Sequence, residues 1–305
     1  MSKYQGIFPA FYACYDAQGG VNPQAIRKLT RWFIEKGVQG LYVGGSSGEC
    51  IYLSKEERKI TLENVMAEAK GEIKIIAHVA CNNTADSQEL AAHAESLGVD
   101  AIAAIPPIYF KLPPYAVAKY WNDISAAAPN TDFIIYHIPQ LAGVSLTGPL
   151  LKEMLKNPRL AGVKSSSGQI DDIQKFVQIG SEGGREFAVF NGQDSQLFAG
   201  LSVGACGGIG GTYGVMPELY VKIFHLLQAG KYQQALEVQR ACSKIRDKLH
   251  TGHGCTFSIV KEVYRRRDGM DCGSVRPPLA ALSESDILIA EEIIEMVREA
   301  VEKFC

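Results

Sequence analysis

The sequence has no apolar stretch long enough to cross a membrane and no block of basic residues. None of its apolar runs reaches the roughly 18 uninterrupted residues that a membrane-spanning helix needs. Its 31 basic and 33 acidic residues give a net charge of −2, which argues against nucleic acid as a partner. The first ten residues, MSKYQGIFPA, lack the basic segment and apolar run of a signal peptide. We therefore expect a cytoplasmic protein that does not bind a membrane.

The cysteines do not form any Cys-x-x-Cys pair. All eight lie scattered along the chain. In a cytosol-like protein of this size, such cysteines are mostly buried thiols. We therefore expect neither disulfides nor a zinc site. We also expect no cofactor.

What the sequence does contain is a regular alternation of short apolar runs with longer segments of helical periodicity. Eight runs are almost continuously apolar, which is typical of strands covered on both faces. They are residues 6–12, 40–45, 73–80, 100–107, 132–139, 160–165, 187–192 and 205–211. Strand followed by helix, eight times over, predicts an α/β fold of the (β/α)8 TIM barrel type.

The segments between the runs carry helix signals. Residues 54–71, for example, begin with a capping box of Ser54 and Glu57, and Gly71 can end the helix. A doubly wound open sheet is the alternative fold. Its Gly-x-Gly-x-x-Gly turn after the first strand is missing, and so is the Walker phosphate loop.

After about residue 230 the predicted strands stop and three amphipathic segments follow. They cover residues 231–252, 255–269 and 283–304. No Pro-, Gly- or Ser-rich linker precedes them. We predict a barrel catalytic domain over residues 1–230 and, over 231–305, a C-terminal helical extension packed on the barrel.

A lysine, Lys164, ends the sixth apolar run. Burying an unpaired ammonium is costly, and the usual escape is to lose the proton, which leaves a nucleophilic amine. Its neighbours are small, Gly162 and the serines at 165–167, so a bonded substrate has room. We interpret Lys164 as a candidate to form a Schiff base with a ketone. The alternative is a lysine whose amine reaches water or pairs with an acid.

In a barrel of this type the active site lies at the C-terminal ends of the strands. Tyr136 ends the fifth strand, next to the sixth, and its hydroxyl can move the proton that carbon–carbon cleavage requires. A tyrosine that merely closes the barrel core is the alternative. His137 falls on the opposite face of the strand, and we expect it to be structural.

The segment GGSSGE, residues 44–49, follows the second strand. Its backbone N–H groups and the hydroxyls of Ser46 and Ser47 can bind a carboxylate or a phosphate. A plain tight turn is the alternative. We expect Glu49 to hold the loop rather than to take part in the chemistry.

Three motifs together carry a resemblance to a known family: GGSSGE (44–49), YHIP (136–139) and GVKSSSG (162–168). With these motifs in this order, the chain resembles the class I aldolases of the dihydrodipicolinate synthase/N-acetylneuraminate lyase family. The resemblance covers essentially the whole chain, including the helical tail. It implies a (β/α)8 barrel, a homotetramer, and action on pyruvate or another small 2-oxo acid through a lysine Schiff base.

The resemblance also implies roles for individual residues. Lys164 would form the Schiff base, and Tyr136 would shuttle the proton. The turn of Ser46 and Ser47 would bind the carboxylate of the 2-oxo acid. Tyr109 matches a tyrosine that one subunit of family members often contributes to its neighbour across a subunit interface.

Differences between the branches of the family place this chain nearer to the lyases. Leu141 stands where the synthases carry an arginine for their second carboxylate, and leucine cannot bind one. Gly192 and Asp194 match a sugar-binding stretch of the lyases, with Ser195 in place of its glutamate. Two further substrate-contacting positions are altered: Ser166 replaces a threonine and Gly211 replaces a serine.

The resemblance thus implies reversible cleavage of N-acetylneuraminate into pyruvate and N-acetylmannosamine. Because altered hydroxyl contacts can change discrimination greatly, a dihydrodipicolinate synthase or a 2-keto-3-deoxy sugar acid aldolase remains an alternative. So does a non-catalytic sensor of sialic acid or a 2-oxo acid, although a binder needs neither Lys164 nor Tyr136. A metal-dependent aldolase is disfavoured because no His, Asp and Glu cluster occurs at the strand ends.

Overall fold

The computed structural model describes residues 3–305. Met1 and Ser2, part of the segment expected not to be a signal peptide, lie outside the described residues. No helix within residues 3–305 combines the length and the apolar character that crossing a membrane requires.

Each of the eight predicted strands is confirmed, and each lies inside the apolar run that predicted it. The sheet has the order β1-β8-β7-β6-β5-β4-β3-β2, and an isolated parallel bridge joins Ala10, just after β1, to Tyr42 of β2. The strands are β1 Gly6–Pro9, β2 Gly40–Val43, β3 Lys74–His78, β4 Ala101–Ala104, β5 Asp132–His137, β6 Leu160–Ser165, β7 Ala188–Asn191 and β8 Gly207–Gly210. With helices between the strands, the fold is the predicted (β/α)8 barrel with a C-terminal helical extension.

Helices follow the strands and continue beyond the last one. They are α1 Pro23–Glu35, α2 Lys55–Ala69, α3 Thr84–Ser96, α4 Pro114–Ala126, α5 Pro139–Ala142, α6 Gly148–Met154, α7 Ile170–Ser181, α8 Leu197–Ser202, α9 Pro217–Gln228, α10 Tyr232–Leu249, α11 Thr256–Asp268 and α12 Glu284–Phe304. The last three are the predicted helices of the extension. The capping box at the start of α2 is present, with the Glu57 N–H donating to Ser54 Oγ at 3.2 Å.

The chain divides into two compact units. The first comprises Lys74–Ile209 together with the N-terminal residues up to Gly6. The second comprises Ile7–Ile73 and Gly210–Cys305. The first unit contains the ends of β3 to β7, whereas the second contains the GGSSGE turn and the C-terminal helices. The predicted division near residue 230 stays a prediction.

The middle strands of the first unit explain the continuous apolar runs. Five of the six residues in both β5 and β6 are buried, because each strand is covered on both faces. Gly162 of β6 has no room for a side chain, since a Cβ there would lie 2.3 Å from the Ala188 carbonyl oxygen of β7. The two strands therefore approach closely at Gly162, which pairs with Ala188.

Candidate active site

Lys164 and Tyr136 lie directly opposite each other at the C-terminal ends of β6 and β5. The Lys164 Nζ is 3.8 Å from the centre of the Tyr136 ring, and both side chains are buried. Because side chains alternate along a strand, this register directs both residues to the same face of the sheet. The sixth strand therefore holds an amine against an aromatic face, beside a phenolic hydroxyl, in a place from which water is largely excluded.

The residues that follow this pair face the other way. His137 lies opposite Ser165, and its Nδ1 is 3.3 Å from the Ser165 Oγ. Its ring packs edge-on against Phe176 of α7 at 5.4 Å. Burial lowers the pKa of His137, and the nearby Asp172 carboxylate opposes that effect. This is the environment of a packing residue on the helix side of the sheet.

The loop after β6 is held from both sides. The Ser166 N–H donates to the carbonyl oxygen of His137 at 2.8 Å. Its own carbonyl oxygen accepts from two side-chain amides, Gln140 Nε2 at 2.6 Å and Gln193 Nε2 at 3.1 Å. A Cβ at Gly192 would lie 2.0 Å from the Ser166 Oγ, so only glycine fits there. These contacts tie the ends of β5, β6 and β7 together around Ser166.

Two candidate sugar-binding residues lie just beyond β7. Asp194 and Ser195 are half-buried members of one 3₁₀ turn, Asp194–Gln196. The turn is tied to the loop after β6, because Gln196 Nε2 donates to the Gly168 carbonyl oxygen at 3.1 Å. Leu141, on the short helix α5, has 67% of its surface exposed.

Tyr109 has an unusual backbone conformation. Its φ is 85°, in the left-handed region that a bulky residue rarely adopts, and 90% of its side chain is exposed. Its ring packs edge-on against Phe110 at 4.9 Å. Both residues line a cavity of about 610 Å³ between the loop after β4 and helix α4. Tyr109 is thus an exposed aromatic residue held in a strained position.

The second unit contains the GGSSGE turn. Two backbone hydrogen bonds close it, from the Gly48 N–H to the Gly45 carbonyl oxygen at 3.0 Å and from the Glu49 N–H to the Ser46 carbonyl oxygen at 2.9 Å. Ser46 is exposed and Ser47 is buried. Within residues 3–305, the N–H groups of Ser46 and Ser47 have no backbone acceptor. Donors of this kind can bind an anion.

Gly211 lies next to this turn in the same unit. A Cβ built on Gly211 would be 3.5 Å from the Ser47 Oγ and 3.6 Å from the Tyr12 Oη. These are ordinary van der Waals separations. The structure thus brings together two of the candidate substrate-binding positions, Ser47 and Gly211, and leaves room for a side chain at the second.

Some residues that contact the candidates were not identified from the sequence. The ring of His78, at the end of β3, lies edge-on to the Tyr136 ring with centres 6.1 Å apart. His78 could have been identified from the sequence, because it is a polar residue at the end of a predicted strand, as the candidate site residues are. Lys261 forms a buried ion pair with Glu49 at 2.8 Å. Lys261 could have been noticed in the sequence as a lysine among the apolar residues of a predicted amphipathic helix.

Among the described residues, no group of three or more His, Cys, Asp or Glu side chains is arranged to hold a metal ion. The cysteines of residues 3–305 form no disulfide. The chemistry available at the candidate residues is that of an amine, a phenol, hydroxyls, the Asp194 carboxylate and backbone N–H groups.

Known proteins resemble this chain over its full length. The sequence model of the Dihydrodipicolinate synthetase family matches residues 3–297. The N-acetylneuraminate lyase of Mediterraneibacter gnavus is 56% identical over 304 residues, covering 100% of this chain and 96% of the relative. The N-acetylneuraminate lyase of Escherichia coli (strain SE11) is 36% identical, covering 93% of each chain.

A solved structure is also similar to this chain over almost its full length. The structure described as "Ruminococcus gnavus sialic acid aldolase catalytic lysine mutant" superposes with a TM-score of 0.97 and 55% identity. The match covers 99% of this chain and 98% of that chain.

Proposed function

Because the chain belongs to the Dihydrodipicolinate synthetase family, we propose that it is a Schiff-base aldolase that cleaves N-acetylneuraminate reversibly into pyruvate and N-acetylmannosamine. The observation that carries the proposal is the buried amine of Lys164, held 3.8 Å from the centre of the Tyr136 ring at the ends of two neighbouring strands. Two relatives named N-acetylneuraminate lyase, at 56% and 36% identity, support the choice of substrate.

Lys164 supplies the nucleophile in this proposal. Its neutral amine attacks the ketone carbon of the open-chain 2-oxo acid, and loss of water gives an iminium ion. The iminium accepts the electron pair released when the bond between C3 and C4 breaks, which leaves an enamine. Protonation of the enamine and hydrolysis of the imine then release pyruvate and restore Lys164. The solved relative described as a catalytic lysine mutant supports a lysine in this role.

Tyr136 moves the proton in the same proposal. Cleavage turns the C4 hydroxyl into an aldehyde, so that hydroxyl must lose its proton as the bond breaks. The Tyr136 phenol lies on the strand next to β6, directly opposite Lys164, and we assign it as the proton relay, which gives up its own proton as it takes the proton of the C4 hydroxyl.

The remaining candidate residues bind the substrate. We assign the substrate carboxylate to the turn of Ser46 and Ser47, because hydroxyls and N–H donors without backbone acceptors suit an anion. We assign the polyhydroxyl part to positions beside the strand ends, where hydrogen bonds to hydroxyls set discrimination. These positions are Ser166, Gly192, Asp194, Ser195 and Gly211.

We also propose that the protein is a cytoplasmic homotetramer that acts on a small molecule, without nucleic acid or membrane partners. Three aromatic side chains support a protein interface near the loop after β4. Tyr109, Phe110 and Tyr115 are 90%, 72% and 78% exposed, and together they line the cavity there. Exposed apolar patches of this kind are typical of association surfaces, so we assign Tyr109 to a subunit interface.

Reductive trapping tests the proposal. The protein is incubated with N-acetylneuraminate and borohydride, and the labelled residue is located by peptide mass spectrometry. We expect a pyruvate-sized adduct on Lys164. An adduct the size of the whole sugar would mean that the lysine binds sialic acid but cleaves another substrate. No adduct with N-acetylneuraminate or with pyruvate would refute a Schiff-base enzyme.

A further inference from the structure

We infer that the buried ion pair of Glu49 and Lys261 sets the geometry of the carboxylate-binding turn, so that both residues act as positioning residues for imine formation. The inference rests on the proposed function, in which Ser46 and Ser47 bind the carboxylate of the 2-oxo acid. It assigns to the C-terminal extension a part in substrate binding through the turn, without contact between Lys261 and the substrate.

Glu49 is the last residue of the turn and has a constrained backbone. Its φ is 52°, in the left-handed region that residues other than glycine seldom adopt. Its N–H donates to the Ser46 carbonyl oxygen at 2.9 Å, so the path of its backbone fixes where Ser46 and Ser47 lie. A conformation of this kind persists only when the surrounding contacts hold it.

The contacts that hold Glu49 come from its carboxylate, which is fully buried. Oε1 accepts from the Lys261 Nζ at 2.8 Å. Oε2 accepts from the Tyr15 hydroxyl at 3.1 Å and from the Arg276 N–H at 2.8 Å. Each carboxylate oxygen therefore has a donor, which leaves Glu49 poorly suited to exchange protons with a substrate.

Lys261 is equally enclosed. Its side chain is 2% exposed, and its amine also donates to the Ser274 carbonyl oxygen at 2.7 Å. An ammonium committed to a carboxylate and a carbonyl does not serve as a second Schiff-base lysine. The ion pair instead joins the turn after β2 to helix α11 and to the segment that leads to α12.

The energetics of buried charge explain why the turn should respond to the loss of Lys261. Removing one partner of a buried ion pair leaves the other charge unpaired in a medium that solvates it poorly. The Glu49 carboxylate would then move toward water, and its backbone would move with it. Replacing both partners by uncharged side chains avoids the lone charge, so such a variant keeps the fold while losing the link.

Trapping with two ketones separates positioning from general damage. Lys261→Met and the double variant Glu49→Gln/Lys261→Met are treated with borohydride and either pyruvate or hydroxyacetone, a ketone without a carboxylate. With subsaturating pyruvate we expect the rate of adduct formation on Lys164 to fall on the order of tenfold, because the carboxylate is misplaced. With hydroxyacetone we expect the wild-type rate. The KM for N-acetylneuraminate should rise more than kcat falls.

Lys248→Met is the matched control. It removes a lysine that pairs with Glu292 between α10 and α12 of the same extension, and it should behave as wild type with both ketones. If Lys261→Met fails to fold, the same measurements are made on the double variant alone. Equal slowing with both ketones, or no slowing with either, would overturn the positioning role. A wild-type protein that traps neither ketone would instead overturn the proposed function, and this inference with it.

Discussion

The amine of Lys164 lies over the face of the Tyr136 ring, 3.8 Å from its centre, because the parallel register of β5 and β6 sets the two residues side by side. The face of an aromatic ring attracts a cation. An iminium formed on Lys164 is cationic, so the ring is placed to stabilise it. The hydroxyl and the ring of Tyr136 thus have separable roles in the proposed reaction.

Two substitutions at Tyr136 separate these roles. Tyr136→Phe keeps the ring and removes the hydroxyl, so turnover of N-acetylneuraminate should fall by roughly a hundredfold or more. Trapping of pyruvate on Lys164 should persist, although more slowly. Tyr136→Leu removes the ring as well, and trapping itself should then fall. Wild-type turnover in Tyr136→Phe would remove the hydroxyl from the mechanism.

A substitution at Leu141 tests whether α5 faces the substrate. Leu141→Arg introduces the residue type that the family resemblance implies for the synthases, at a position where the side chain is already 67% exposed. We expect an unchanged melting temperature, weaker cleavage of N-acetylneuraminate and no synthase activity, because one arginine does not build a second substrate site. Leu288→Arg, at a position 60% exposed on α12, is the control. Efficient cleavage by Leu141→Arg would show that this position does not face the substrate.

Gly192 tests the packing of the strand ends. In Gly192→Ala the new Cβ would meet the Ser166 Oγ at 2.0 Å and the Ser165 carbonyl oxygen at 2.8 Å. Overpacking of this kind costs about 1–3 kcal/mol of unfolding free energy, and the displaced Ser166 should weaken substrate binding. Urea unfolding and steady-state kinetics measure the two effects. Gly183→Ala is the control, because its Cβ meets its nearest neighbour at an ordinary 3.4 Å. Equal stability of both variants would contradict the packing described here.

The ion pair of Glu57 and Arg276 predicts a dependence of stability on pH. Hydrogen bonds from Arg276 lower the pKa of Glu57 from its ordinary 4.5 to about 2. A carboxyl whose folded pKa is depressed contributes stability above its unfolded pKa and loses that contribution as the pH falls through the folded value. Glu57→Gln should therefore be less stable than wild type at pH 7, and the difference should shrink between about pH 4.5 and pH 2.

Urea unfolding at several pH values measures that difference. Glu56→Gln, in the same turn of α2, is the matched control, because the Glu56 side chain is 67% exposed and lies 3.6 Å from Lys59. Exposed pairs contribute little, so its curve should follow that of the wild type. A difference for Glu57→Gln that stays constant down to pH 2 would contradict the depressed pKa.

The strands and their order were predictable from the amino-acid sequence alone. Each strand is an almost continuous apolar run, because both faces are covered, and a capping box begins α2 through hydrogen bonds only three residues apart. Short-range signals of this kind are present in the sequence before the chain folds. Lys164, near the end of β6, was also visible, because a charge inside an otherwise apolar strand is rare enough to require an explanation.

Contacts between residues far apart in the chain could not be predicted in this way. Lys261 and Glu49 lie 212 positions apart, and the sequence around either residue does not predict the other as its partner. Their pairing depends on the path of the whole chain between them. The left-handed backbone of Tyr109 was likewise not predictable, because side-chain patterns do not encode it. Periodicity and capping act over one or two helical turns, whereas a buried charge requires whichever partner the completed fold brings within hydrogen-bonding distance.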